Sequence, residues 1–208
     1  MKLIDRTKAY IDNHYKTPKG LLGMYIGEKM VRQHEPETRW TIELMKLQQG
    51  ESVLDLGCGA GLAVKLILER FAVEQVVGLD LSPVMIRSAK RRNKKELGKR
   101  AKFVKAGMNS LPFQDKQFDK VFSIHTIYFW DDFPETVSEI MRVLKPGGSF
   151  IVTLTNGKND EIWEGVNTLV EEKLIPSMET YSCVDVQIVK GPNSRQFHTI
   201  AVMGKKKA

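Results

Sequence analysis

The apolar run Val53-Leu54-Asp55-Leu56 passes straight into Gly57-Cys58-Gly59-Ala60-Gly61, and a helical pattern (Leu62, Val64, Leu66, Ile67, Leu68) begins at once. A short, nearly continuous apolar run reads as a strand buried on both faces. Glycines at alternate positions let the chain turn sharply and let a ligand approach backbone where a Cβ would collide. Strand, glycine turn and helix therefore predict a nucleotide-like ligand over the carboxyl end of a first parallel strand.

From Glu51 onward strand and helix patterns alternate, which signals a parallel sheet with crossover helices. Strands are expected over 52–56, 75–79 (with Asp80 at its tip), 101–106, 120–125 and 149–155. Helices are expected over 61–71, over 83–97 behind Pro83, from Pro134 to Leu144, and over 160–174. The segments 184–190 and 196–204 flank Gly191-Pro192-Asn193-Ser194 and read as a hairpin, so one of them runs antiparallel to its neighbour. Residues 1–50 carry no strand signature. They read as helices near 1–16, 24–34 and 37–48, and Lys205–Lys207 reads as a frayed tail.

The 208 residues are enough for one α/β domain, expected to span 1–208. Its parts are helices over 1–50, a core over 51–155, and a final helix and hairpin over 156–208. No apolar run approaches the roughly 20 residues that span a bilayer. Met1-Lys2-Leu3-Ile4-Asp5-Arg6 lacks the apolar core of a secretory signal. Cys58 and Cys183 make neither a disulfide framework nor a metal-binding spacing, so a reducing cytoplasm is the expected location. The net charge of +7 is concentrated: between Arg87 and Lys105 lie ten basic residues and one acidic residue, Glu96. Such a run marks a solvated face or a phosphate-binding patch, and no aromatic interleaves it before Phe103 to stack a base.

The ligand class follows from the turn. A dinucleotide site takes G-x-G-x-x-G, but here Leu62 stands where the third glycine belongs. Asp55, one residue from the turn, would repel a pyrophosphate and favour an ammonium or sulfonium. Val53–Gly61 resembles the first motif of the class I (Rossmann-like) S-adenosylmethionine-dependent methyltransferases. The resemblance continues through Val76-Val77-Gly78-Leu79-Asp80-Leu81-Ser82, Leu111-Pro112-Phe113, Phe118-Asp119-Lys120-Val121 and Glu139…Arg142-Val143-Leu144-Lys145-Pro146-Gly147-Gly148. It covers about residues 40–155. It implies an α/β three-layer sandwich around a seven-stranded, mostly parallel sheet with an antiparallel C-terminal hairpin strand.

The resemblance also implies S-adenosyl-L-methionine as cofactor and assigns roles. Gly57, Gly59 and Gly61 would let backbone lie against the methionine part, and Asp55 would face its ammonium. Asp80 would accept the ribose hydroxyls, with capping of the helix at Pro83 as the plain alternative. Leu81 would pack on adenine. Where many relatives carry an adenine-binding Asp, this chain has Gly107, so adenine falls to the Met108 backbone and the Asn109 side chain, with Ile124 bordering the cofactor. The loop Ile124-His125-Thr126-Ile127-Tyr128-Phe129-Trp130 falls where methyl group and acceptor meet. His125 is a candidate general base or a loop-fixing hydrogen-bond partner, and Tyr128 a candidate catalytic group. Phe129 and Trp130 are either pocket wall or core. Asp131 and Asp132 find no third ligand at metal spacing; no metal is expected, and they read as helix caps.

The acceptor is expected to be a small or lipid-like molecule, beneath a lid carrying Tyr10, His14, Tyr15, Met24, Tyr25 and Trp40 unless these simply pack helices together. The rivals are RNA methylation through the 87–105 segment and non-catalytic binding of S-adenosylmethionine. Ser123-Ile124-His125-Thr126 stands where amino-methylating nucleic-acid enzymes place Asn/Asp-Pro-Pro-Tyr/Phe.

Overall fold

The computed structural model describes residues 31–208. After the helix α1 (Glu35–Leu44) come β1 (Ser52–Leu56), α2 (Leu62–Arg70), β2 (Gln75–Asp80), α3 (Pro83–Arg92), β3 (Ala101–Lys105) and β4 (Phe118–Ile124). Then follow α4 (Phe133–Val143), β5 (Leu144–Lys158), β6 (Glu161–Ile162), α5 (Glu164–Thr168), α6 (Ile175–Thr180), β7 (Cys183–Lys190) and β8 (Phe197–Lys206). The strands lie in the order β3-β2-β1-β4-β5-β8-β7, with β6 paired to β5 off that path. The first five strands of that order are mutually parallel; β8 is antiparallel to both β5 and β7.

Every residue of β1 is buried, because helices cover both faces of the sheet. On one face Leu54, Leu56, Leu79, Val121, Phe150 and Val152 pack with Val137, Ile140 and Met141 of α4. On the other, Val53, Val76, Phe122 and Ile151 pack with Ile42 of α1, Val64 and Ile67 of α2, and Ile86 and Ala89 of α3. The result is the three-layer α/β sandwich that the resemblance implies, built on the parallel sheet with crossover helices that the strand–helix alternation predicts. It also fixes the site: β1 and β4 are central neighbours, so their carboxyl ends open side by side.

Three expectations are corrected, and one left open between lid and packing, Trp40, falls to packing. The helix expected over 160–174 begins later and runs further. Asn159, at φ +54°, instead turns the chain into the β5–β6 hairpin, and Asn is a residue type that tolerates that region. The helical run then spans α5 through α6, with a π-type middle at Leu169–Leu174, just ahead of Pro176, which lacks the N–H that an α-helical register needs. Helix α3 stops at Arg92, not near Leu97, where Asn93 closes on Ala89. Lys205 and Lys206 are not frayed: both lie in β8, and the Lys206 ammonium donates to the carbonyls of Met141 and Leu144 at 2.5 and 2.8 Å. Trp40 packs its ring against Gly191 and does not border the site cavity. Tyr10, His14, Tyr15, Met24 and Tyr25 lie outside the described residues.

The Leu111-Pro112-Phe113 loop is fastened to α4 by one guanidinium. Arg142 donates to the carbonyls of Leu111 and Phe113 at 2.9 Å each, to Asp115 at 2.7 Å, and to both oxygens of Glu139 at 2.7 and 2.9 Å. Glu139 in turn accepts the Leu111 N–H at 2.7 Å. A planar fork meeting carbonyls and a carboxylate suits this role, and Lys would not replace it.

Candidate active site

A cavity of ≈ 490 Å³ opens at the carboxyl ends of β1, β2 and β4. Its floor is the glycine turn. The Gly57 and Cys58 N–H groups both donate to Leu79 O, at 2.8 and 2.9 Å, which ties the turn to the end of β2. Gly57, Gly59 and Gly61 all have φ between +51° and +77°, which L side chains rarely adopt. They serve different ends. A Cβ on Gly57 would lie 2.3 Å from the Thr126 methyl group, so that glycine lets the β4 loop close down. A Cβ on Gly59 would meet nothing within 4 Å, and Gly59 lines the cavity. A Cβ on Gly61 would strike Ala89 of α3 and Asn93, the residue that caps its end; Gly61 therefore sets helix packing and does not line the cavity.

Asp80 closes one side. Its two oxygens accept the N–H groups of Gly59 at 2.9 Å and Ser82 at 2.8 Å, while the Ser82 hydroxyl caps α3 by accepting from Met85 N–H. Burial raises Asp80 above the usual carboxylate range, and the two backbone bonds pull it back. Each oxygen keeps a lone pair for a ligand hydroxyl. Asp55 is 3% exposed and faces the same cavity. Burial, then the neighbouring Asp80 charge, hold it well above the usual range. A carboxylate so placed favours a cationic group beside it. Leu81 is 53% exposed and borders the cavity with Met108, Asn109 and Ile124. The Asn109 side-chain oxygen accepts the Thr136 hydroxyl at 2.9 Å, which holds that loop against α4.

The β4 loop supplies the far wall. His125 sits at φ +57°, and its N–H donates to Thr153 O at 2.8 Å. Burial, then the His34 and Arg195 charges, push its imidazole down to about 3, so the ring is neutral near pH 7 and a weak proton acceptor. Its ring lies 4.3 Å from that of His34, centroid to centroid. Phe129 and Trp130 border the cavity, and Trp130 also belongs to the core, against Phe133 and Phe150, with its N–H donating to the Thr126 hydroxyl. Tyr128 is placed elsewhere: its hydroxyl donates to Thr155 O and accepts Thr155 N–H, both at 2.7 Å, and it does not line the cavity. Burial raises that hydroxyl to about 12. Asp132 caps α4 by accepting Glu135 N–H at 2.8 Å, as its position in the sequence predicts. The sequence reading missed His34 and Thr38, which also line the cavity, and Glu37 beside them; their signal was the i, i+3 spacing of His34 and Glu37 at the start of α1.

An open glycine floor, a buried carboxylate beneath it and an acidic residue at the tip of β2 fit a cofactor with a cationic tail and a ribose. A family model for a methyltransferase domain matches residues 54–152. The methyltransferase relatives and the fold below support a class I, Rossmann-like S-adenosylmethionine-dependent methyltransferase, and structural neighbours bound to S-adenosylhomocysteine imply S-adenosylmethionine as the cofactor. It is 29% identical over 131 residues to the uncharacterised methyltransferase YdaC of Bacillus subtilis, covering 63% of this chain and 71% of that one. It is 30% identical over 143 residues to a fatty-acid O-methyltransferase of Mycolicibacterium smegmatis, covering 69% of this chain and 50% of that one. In fold it is similar to the geranyl diphosphate C-methyltransferase of Streptomyces coelicolor A3(2), solved with Mg2+, geranyl-S-thiolodiphosphate and S-adenosyl-L-homocysteine. The TM-score is 0.69 at 16% identity, over 84% of this chain and 77% of that one. The chain spans half or less of the fatty-acid relative and of those named as sterol methyltransferases.

Proposed function

We propose that this chain transfers the methyl group of S-adenosylmethionine to an apolar, lipid-like small molecule. The observation that carries the reading is the lining of the cavity. Val31, Leu62, Ala63, Met85, Ile124, Phe129 and Trp130 give it an apolar wall. Its charged groups among the described residues are carboxylates, Asp55, Asp80 and Asp131, with no Lys or Arg. Such a wall favours a hydrocarbon acceptor and offers nothing to a phosphate chain. The relatives named for fatty acids and sterols support the same class.

When bound, S-adenosylmethionine supplies a methyl group on a positively charged sulfur. Asp55 is the group to face its ammonium, Asp80 its ribose hydroxyls, and Gly59 the open backbone between them. The aromatic wall at Phe129 and Trp130 favours positive charge and excludes water. Much of the work left to the protein is holding the acceptor in line. Burial leaves the His125 nitrogen a weak proton acceptor, which favours its loop-fixing role over that of a general base.

The 87–105 segment gives RNA methylation little support. None of its basic residues lines the cavity, although Arg92 donates to the Ala60 carbonyl and Lys105 ends β3 beside Asp80, and Arg100 is spent on Glu96 and the carbonyls of Leu68 and Phe71. The test is release of S-adenosylhomocysteine with a panel of fatty acids, sterols, prenyl alcohols and RNA. Turnover with a lipid-like acceptor is expected. Turnover with RNA alone overturns the reading, and binding of cofactor without turnover on any acceptor makes the chain a binding protein.

A further inference from the structure

Among the described residues, three buried polar atoms beside the cavity have no hydrogen-bond partner: His34 Nδ1, Glu37 Oε2 and His125 Nε2. They belong to three residues whose ligand-type atoms all lie within 4.8 Å of one another. A buried polar atom left unpaired is destabilising, so three orphans on residues this close together call for a common partner. We propose that His34, Glu37 and His125 bind one divalent transition-metal ion of the zinc class, with its open position facing the cavity.

The fold builds this meeting deliberately. His34 is the N-cap residue of α1 and Glu37 lies in its first turn, so an i, i+3 spacing puts both on one face. Helix α1 is latched to the sheet where the Thr41 hydroxyl meets that of Thr153 at 2.7 Å. The carbonyl of the same Thr153 accepts the His125 N–H, and His125 takes a left-handed φ to do so. One residue of β5 thus registers both halves of the cluster. Backbone in that region is sparsely populated and persists where surrounding structure demands it.

The chemistry selects the ion. Two neutral imidazoles and a carboxylate are a donor set for zinc and its first-row neighbours, and an oxygen-only set would be needed for calcium or magnesium. Ligand atoms around tetrahedral zinc lie about 3.4 Å apart, so closing from the present separation needs side-chain shifts of about 1 Å. His34 and His125 line the cavity and Glu37 stands behind them, so a fourth ligand enters from the cavity side. That ligand is water or an oxygen of the acceptor. Arg195 is the cation on the outer side, held by the Gln33 carbonyl at 2.7 Å, and Glu37 offsets it at the ion.

The site stands on these side chains alone and does not depend on which molecule is methylated. The tag-free full chain is stripped with a chelator, freed of it, and titrated with Co2+ by visible absorption and with Zn2+ by calorimetry. One equivalent is expected, with the absorption bands of four- or five-coordinate Co2+. Glu37→Gln and His125→Ala should each weaken Zn2+ binding about 100-fold or more, and His198→Ala should leave it unchanged. If one variant fails to fold, His34→Gln takes its place, and S-adenosylhomocysteine binding by the same samples reports an intact cofactor floor. The proposal is overturned if wild type takes up no saturating equivalent, if uptake survives Glu37→Gln and the histidine variants, or if it follows His198.

Discussion

Replacing Gly59 by Ala separates a glycine kept for a ligand from one kept for the fold. The added Cβ meets nothing within 4 Å of the described protein, so the change creates no internal clash. The left-handed φ of +51° costs a non-glycine residue about 1–2 kcal/mol. The stiffer unfolded chain returns about 0.4–1 kcal/mol. The net loss, at most about 1.6 kcal/mol, lowers Tm by no more than roughly 6 °C in a domain of this size. Gly98 is the matched control: φ +75°, nothing within 4 Å, and far from the cavity on the approach to β3. Both variants should lose the same small amount of stability. Only Gly59→Ala puts a methyl group into the cavity, where overpacking of about 1–3 kcal/mol means roughly 5- to 150-fold weaker binding. Calorimetry with S-adenosylhomocysteine reads the difference directly. The reasoning is refuted if Gly59→Ala binds within twofold of wild type, or if Gly98→Ala weakens binding as much.

Asp55→Asn should stabilise the ligand-free protein at neutral pH by about 1–3 kcal/mol while weakening S-adenosylhomocysteine binding. Because the folded-state pKa is raised, the unfolded chain ionises first, so wild-type stability falls as pH rises from the ordinary carboxylate range through the raised value; melts across that window should show a shallower slope in the variant. Tyr128→Phe should lose about 1 kcal/mol of stability by stripping Thr155 of both partners and leave kcat within a factor of about two; a collapse of kcat with an unchanged melt would return Tyr128 to catalysis. Arg142→Ala should cost about 2 kcal/mol, a Tm drop of roughly 4–8 °C, with faster hydrogen exchange in 111–115. An unchanged melt would mean that the guanidinium only decorates that loop.

The strands of the cofactor half were legible because each buried run is short, apolar and bounded by a turn signal. Ser52–Leu56 and Gln75–Asp80 fall where the pattern puts them. The 160–174 segment misled because its helical periodicity is real but starts after a hairpin that only Asn159 announces. Gly61 reads in sequence like its two neighbours; its contact with Ala89 and Asn93 depends on how two helices cross, which spacing along the chain does not encode. The meeting of Glu37 with His125 was not legible for the same reason, since a hydroxyl pair across Thr41 and Thr153 helps bring them together. Tyr128 was placed by residue type and loop position, but its hydroxyl answers to the β5 backbone.

Asp80 holds the Gly59 and Ser82 N–H groups at once, and so joins the glycine turn to the head of α3 before any ligand arrives. A floor set in this way needs no ordering when cofactor lands and none when spent cofactor leaves. Arrival is then set by access to the cavity mouth, and mutations in the floor should weaken the cofactor's hold by quickening its departure far more than by slowing its arrival.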